Sequence, residues 1–173
     1  AIATSITLTE PPILTVTPTV TSDYNGSDIS CAGASDGSVF ATAGGGSPGY
    51  VYTWTNAAMV VISNLPNANN LPVGTYTVTI TDQNGCVAVE TIDINTPDPI
   101  DVNPQITSDY NGQDVSCFGA TDATIEVTFN GGVAPYDFEW TDEFATVVGT
   151  TQDLLNVGAG TYTVVLTDAN GCQ

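Results

Sequence analysis

Ser22-Asp23-Tyr24-Asn25-Gly26 recurs as Ser108-Asp109-Tyr110-Asn111-Gly112, an offset of 86 residues (108 less 22) that never slips along the chain. Cys31 matches Cys117, Trp54 matches Trp140, Gly74-Thr75-Tyr76 matches Gly160-Thr161-Tyr162, and the run from Asp82 to Cys86 matches that from Asp168 to Cys172, with no insertion anywhere. A fixed period of this length means one structural unit used twice. It sets three expected segments. Residues 1–10 are the last strand of a preceding module, because residues 1–9 align with 87–95 one period on. Residues 11–96 are a first module, and residues 97–173 are a second that lacks its own final strand.

Within each period, runs rich in Thr, Val, Ile and Tyr alternate with Gly, Pro and Asn turn signals, and no long helix-forming stretch occurs. That pattern predicts an all-β fold, two tandem immunoglobulin-like β-sandwiches of about seven strands each. Strands are expected near 13–21, 37–43, 50–56, 59–63, 67–71, 75–81 and 87–94, and again one period on. Pro97-Asp98-Pro99 breaks any strand and fixes φ at two of three positions, which makes a short, stiff join.

The composition removes whole classes of function. The 173 residues contain no Lys, Arg or His against 19 Asp plus Glu, a formal charge of -19. Without cationic side chains there is nothing to neutralise nucleic-acid phosphates or an anionic membrane surface, and no apolar run approaches the roughly 20 residues of a membrane span. The usual general base and the usual oxyanion clamps are missing too. Only carboxylates remain, and acidic loop residues serve far more often as turns than as a glycosidase pair. No enzyme is expected. A uniform negative charge favours cations and holds copies of the chain apart.

Four cysteines fall at matching places, with Cys31 and Cys86 separated by 55 residues and Cys117 and Cys172 by the same interval. A sandwich of 86 residues is marginal by core alone, and closing a 55-residue loop is worth about 4 kcal/mol. The equal separation predicts Cys31 bonded to Cys86 and Cys117 bonded to Cys172, never across modules. Free buried thiols are the plainer alternative, and a zinc site would need more ligands than two cysteines and no histidine supply. Disulfides imply an oxidising compartment.

Such bonds would draw the acidic loop before each first cysteine to the acidic turn before each second one. In the first module Asp23, Asn25 and Asp28 would meet Asp82 and Asn84. In the second, Asp109, Asn111 and Asp114 would meet Asp168 and Asn170. Their oxygens suit calcium, which takes 6 to 8 such ligands. The same sequences are ordinary Asx and Asn-Gly turns and lack the full EF-hand pattern, and the turn is the favoured reading. Trp54 and Trp140 are expected in the core, and Tyr76 and Tyr162 resemble the tyrosine corner of immunoglobulin-like sandwiches. An outward row of Phe40, Tyr50 and Tyr52 would instead mark a binding face.

The run from Asp28 to Gly37 around Ser30-Cys31-Ala32-Gly33-Ala34, the Gly-Gly-x-x-x-Tyr run from Gly45 to Tyr50, Trp54, and the run from Gly74 to Cys86 together resemble the SprB-type repeat. The second copy carries Val115-Ser116-Cys117-Phe118-Gly119-Ala120-Thr121-Asp122 in the same place. More loosely, the Tyr-x-Val-x-x-Thr-Asp ending is similar to PKD-type domains. In the second copy Asp122-Ala123 replaces Asp36-Gly37, so a left-handed turn there would have to differ. The resemblance implies a place outside the cell, in a very large surface protein of gliding Bacteroidetes-type bacteria, exported by type IX secretion and used for adhesion and motility. It implies no catalytic residue. Its partners would be neighbouring modules of the same chain, a homo-oligomeric filament or bundle, and a surface glycan or protein ligand. Two roles are open: a stalk that gives reach, or a module that itself grips the ligand.

Overall fold

A computed structural model describes residues 4–173. The chain is all-β and divides into two compact units. Unit 1 takes the described residues up to Asp23 together with Gly33–Asn95, and unit 2 takes Tyr24–Ala32 together with Thr96–Gln173. The loop 24–32, which the repeat period assigns to the first module, therefore belongs structurally to unit 2.

Unit 1 contains β1 (Thr15–Val20), β2 (Gly37–Gly44), β3 (Val51–Asn56), β4 (Val61–Ser63), β5 (Asn67–Leu71), β6 (Gly74–Thr81) and β7 (Val87–Ile94). They form two antiparallel sheets, ordered β1-β2-β5 and β4-β3-β6-β7. Unit 2 contains β8 (Asp101–Ile106), β9 (Ala123–Asn130), β10 (Tyr136–Asp142), β11 (Val147–Gly149), β12 (Leu154–Val157) and β13 (Tyr162–Asp168), in sheets β12-β9-β8 and β11-β10-β13.

Strand alternation makes each unit a sandwich. On β2, Val39 and Ala41 are buried while Phe40 between them is exposed, and on β6, Tyr76, Val78 and Ile80 are buried at the same period of two. In unit 2, Val127 on β9, Trp140 on β10 and Leu154 on β12 form the core, so side chains from both sheets meet. Trp54 and Trp140 are fully buried, opposite Val78 and Val164 across the ladder. Each indole N–H has a partner, Pro66 O at 3.3 Å and Thr151 O at 3.0 Å. Tyr76 and Tyr162 close their corners by donating to Pro72 O and Gly158 O, four residues upstream, at 2.8 and 3.0 Å. Burial raises the Tyr76 phenol above its usual range.

Three local expectations change. The strand anticipated from residue 13 begins at Thr15, because Pro12 and Ile13 face a glycine pair: Gly46 N–H donates to Pro12 O, and a Cβ on Gly45 would collide with the Ile13 carbonyl. Gly131 stands in the same way against the Pro99 carbonyl. Both pairs sit at positive φ, so glycine alone fits. The position of Gly37 and Ala123 is no turn: each opens a strand and is buried, so alanine substitutes without strain. Of the strand expected at 1–10, the first three residues lie outside the described residues, and residues 4–10 are exposed and carry no strand.

Candidate functional site

The two Asp-x-Asn-Gly-Cys turns are built alike. In unit 2, Asp168 Oδ1 accepts the N–H groups of Asn170 and Cys172, both at 2.9 Å, and Oδ2 accepts that of Val133 at 2.9 Å. In unit 1, Asp82 Oδ1 accepts from Asn84 at 2.9 Å and Cys86 at 2.8 Å, and Oδ2 from Ser47 at 2.9 Å. Each aspartate thus ties the turn to the loop that the glycine pair opens, and both side chains are buried. The Ser47 N–H leads the groups that hold the Asp82 carboxyl below its usual range. At Asp168 burial is the largest influence and raises the value, but four backbone N–H groups together outweigh it and leave the net shift downward.

A folded-state value below that of the unfolded chain, near 3.9 for Asp, adds stability that is complete above that pH and is lost as pH falls through the folded-state value. Asp168→Asn replaces one acceptor oxygen with a donor. It should cost about 3 kcal/mol at pH 7, since buried N–H groups lose their partner. The gap in melting temperature between wild type and Asp168→Asn should be widest above about pH 5 and narrow as pH falls below the unfolded-state value of about 3.9 towards the lower folded-state value. Thermal unfolding across that range checks both.

The loop 24–32 is held against the unit 2 turn. Asn25 Nδ2 donates to Asn170 Oδ1 at 2.7 Å, and Asn170 Nδ2 donates to Tyr24 O at 3.2 Å and Ser30 O at 3.1 Å. Ile29 in this loop is fully buried. The Asn25-Gly26 pair adopts positive φ, which lets the loop reverse tightly. Cys31 then bonds Cys172 with a Cα–Cα distance of 5.6 Å. The pairing of Cys31 with Cys86 and Cys117 with Cys172 expected from equal spacing is therefore corrected. Cys86 and Cys117 are exposed free thiols. The reason is the loop: it leaves its own period and packs into unit 2, so Cys31 meets the second cysteine one period on. Periodicity alone cannot separate the two pairings, because the same 86-residue step relates Cys86 to Cys172.

The proposed calcium ligands follow the same displacement. Asn25 meets Asn170 and not Asn84, whose amide instead donates to Ser47 Oγ at 2.7 Å. Asp109 Oδ1 accepts the Gly112 N–H at 2.6 Å, across a turn in which Asn111 sits at φ 57°, and the Asp114 carbonyl accepts from Ser108 Oγ. Asp23 and Asp28 fall on either side of the boundary between units. Among the described residues no three His, Cys, Asp or Glu side chains group to hold a metal ion. A cleft of about 350 Å³ lies beside the disulfide, lined by Cys31, Pro97, Ile100, Gly132, Asp168 and Cys172. Two aspartates line it, Asp98 and Asp168, and the Asp168 carboxylate is already engaged by backbone N–H groups. The anticipated aromatic row is not presented: Phe40 is exposed, but Tyr50 and Tyr52 are half-buried, and the Tyr50 hydroxyl donates to Gly45 O.

The role of Asn170 as a clamp on two carbonyls of the loop was invisible in the sequence, where Asn in an Asp-x-Asn-Gly run reads only as a turn former. The family model of the SprB repeat matches residues 24–59 and 110–143. No curated protein matches the sequence. Among solved structures, a tetra-tandem repeat from the extending region of a large adhesion protein is similar over 91% of this chain and 41% of its own, at 18% identity and a TM-score of 0.29, which is too loose to carry an argument. The chain spans about two fifths of that structure's length. Each match to the family model begins at the Tyr-Asn-Gly loop and runs through the first cysteine into the core tryptophan, so the SprB-repeat model matches once in each 86-residue period.

Proposed function

We propose that this chain is a tension-bearing spacer segment of a large secreted bacterial surface adhesin or filament, acting outside the cell in adhesion or gliding after type IX export. The Cys31–Cys172 bond, which spans 141 positions, carries this reading. Tension applied at the two ends runs along residues 1–31, crosses the disulfide and leaves through Cys172, so the chain between the cysteines is shielded by a covalent shortcut. Sheets held by hydrogen bonds alone yield under load one after another. The bond also suits an oxidising exterior. The charge of -19 keeps neighbouring stalks apart until salt or divalent ions screen it. The SprB-repeat matches in both periods support a surface role. The rival role, a module that itself grips a glycan or protein, loses its expected row of exposed aromatics.

Single-molecule pulling between the ends tests the shortcut. Oxidised chains should extend to roughly 110 Å, the reach of the residues outside the bond, and reduced chains to roughly 590 Å. Two rings closed within their own periods would instead give roughly 210 Å when oxidised. That result, or equal extension in both states, would remove the mechanical basis of the proposal.

A further inference from the structure

Asn170 holds loop 24–32 with the whole of its side-chain amide. Its Oδ1 accepts from Asn25 Nδ2 at 2.7 Å, and its Nδ2 donates to Tyr24 O at 3.2 Å and Ser30 O at 3.1 Å. The next residue is Gly171, at φ 83°, whose N–H donates to Asp168 O at 3.0 Å. Asparagine before glycine readily loses its amide, because glycine has no Cβ to keep its backbone nitrogen from the neighbouring side-chain carbon. At Asn170 that approach would bring Cγ onto Gly171 N and give up all three hydrogen bonds to the loop. The Asp82–Cys86 turn supplies a comparison within the same chain. Asp82 O accepts the Gly85 N–H at 3.0 Å, and Asp82 Oδ1 holds the Asn84 and Cys86 N–H groups, so the backbone is restrained alike. Asn84, however, is exposed, and its amide donates to the Ser47 hydroxyl.

We propose that Asn170 is a deamidation site gated by loop 24–32: the docked loop protects the amide, and a loop that lifts exposes it to a reaction that bars the loop's return. Gly171 N loses its proton to water or hydroxide and bonds to Asn170 Cγ. The Cγ–Nδ2 bond breaks, and the amide nitrogen leaves as ammonia. Water then opens the succinimide ring at either carbonyl, giving aspartate or isoaspartate. One water enters, one ammonia leaves, and no electron is transferred. The aspartate product keeps an oxygen for Asn25 Nδ2 but has no donor for Tyr24 O and Ser30 O, and it sets a carboxylate against both carbonyls. Isoaspartate also adds a methylene to the main chain of a turn whose Asn170 and Cys172 N–H groups are held by Asp168 Oδ1, and so displaces Cys172 from its bonding position. The inference rests on the clamp and the Asn-Gly pair and stands whether or not the segment bears tension.

Full-length chains are incubated in mildly alkaline buffer, at a temperature where circular dichroism shows them folded, then reduced and cleaved before aspartate. Loss of unmodified fragments 168–173 and 82–92 gives the rates at Asn170 and Asn84. In oxidised wild type Asn170 should react at least about tenfold more slowly than Asn84, since ring closure there costs three hydrogen bonds. Asn25→Ala keeps the disulfide, removes one of the three, and should speed Asn170 about fivefold. Cys31→Ser combined with Ile29→Ala frees the loop and should bring Asn170 to the Asn84 rate, while Asn84 keeps its own rate in every variant. The return is read by ageing reduced wild type and reoxidising it in a glutathione buffer: chains with the Cys31–Cys172 bond re-formed should be enriched in intact Asn170, and Asn170→Asp should re-form it about tenfold more slowly. An Asn170 as reactive as Asn84 in oxidised wild type, a rate unchanged by freeing the loop, or rebonded chains no richer in intact Asn170 than the rest would each overturn the inference.

Discussion

Reduction of the Cys31–Cys172 bond should lower the melting temperature of unit 2 by more than about 15 °C and leave unit 1 within about 2 °C of its oxidised value. The asymmetry follows from placement, since both sulfur atoms belong to unit 2 although one of them comes from the first sequence period. Closing a loop of 141 positions is worth about 5 kcal/mol in the chain-entropy account, a large share of the roughly 5 to 15 kcal/mol that holds a domain. The two tryptophans let each unit be read alone, because Trp54 lies on β3 of unit 1 and Trp140 on β10 of unit 2. In a Trp54→Phe background fluorescence follows unit 2, and reduction should move its transition. In a Trp140→Phe background it follows unit 1 and should not. Equal shifts in both would place a stabilising bond in each unit, contrary to the structure.

Trp140→Ala should cost unit 2 about 3 to 5 kcal/mol, enough to leave it largely unfolded at 37 °C once the disulfide is also reduced. The indole is almost wholly buried among Val127 and Leu154, with Val102, Phe129, Phe138 and Val164 against the same core, and its N–H donates to Thr151 O. Alanine leaves a cavity in a layer that two three-stranded sheets are too small to close over. Trp140→Phe keeps most of the volume and should cost less than half as much, losing the hydrogen bond and part of the contact surface. Circular dichroism melts of the two variants check the order. A Trp140→Ala chain as stable as wild type would mean that the core lies elsewhere.

The strands were legible in the sequence because their signals are local. Alternation of Val39 and Ala41 with Phe40, or of Tyr76, Val78 and Ile80 with threonines, marks one buried face without reference to the rest of the chain. Where a distant segment intervened, the reading slipped: Ile13 reads as the start of a strand, yet its carbonyl lies against Gly45 and that of the preceding Pro12 accepts from Gly46 N–H. Met59, read as strand, sits at φ 60° in a turn whose Ala58 and Val60 N–H groups are held by Asn56 Oδ1. The disulfide was the largest miss, for a reason that more sequence of the same kind would not remove. In a strict repeat every cysteine has an equivalent partner at each multiple of the period. Only the excursion of loop 24–32 into unit 2, with Ile29 buried and Asn170 bridging two of its carbonyls, decides which partner is taken.

Peptide mapping without reduction tests the account at its centre. The chain has no trypsin site, but cleavage before aspartate puts the four cysteines in separate fragments, 28–35, 82–92, 114–121 and 168–173. With free thiols alkylated before digestion of the monomer, fragment 28–35 should be found joined to 168–173, while 82–92 and 114–121 each carry one alkyl group. Fragment 28–35 joined to 82–92, with 114–121 joined to 168–173, would restore bonds closed within each period and contradict the staggered disulfide on which the proposed function rests.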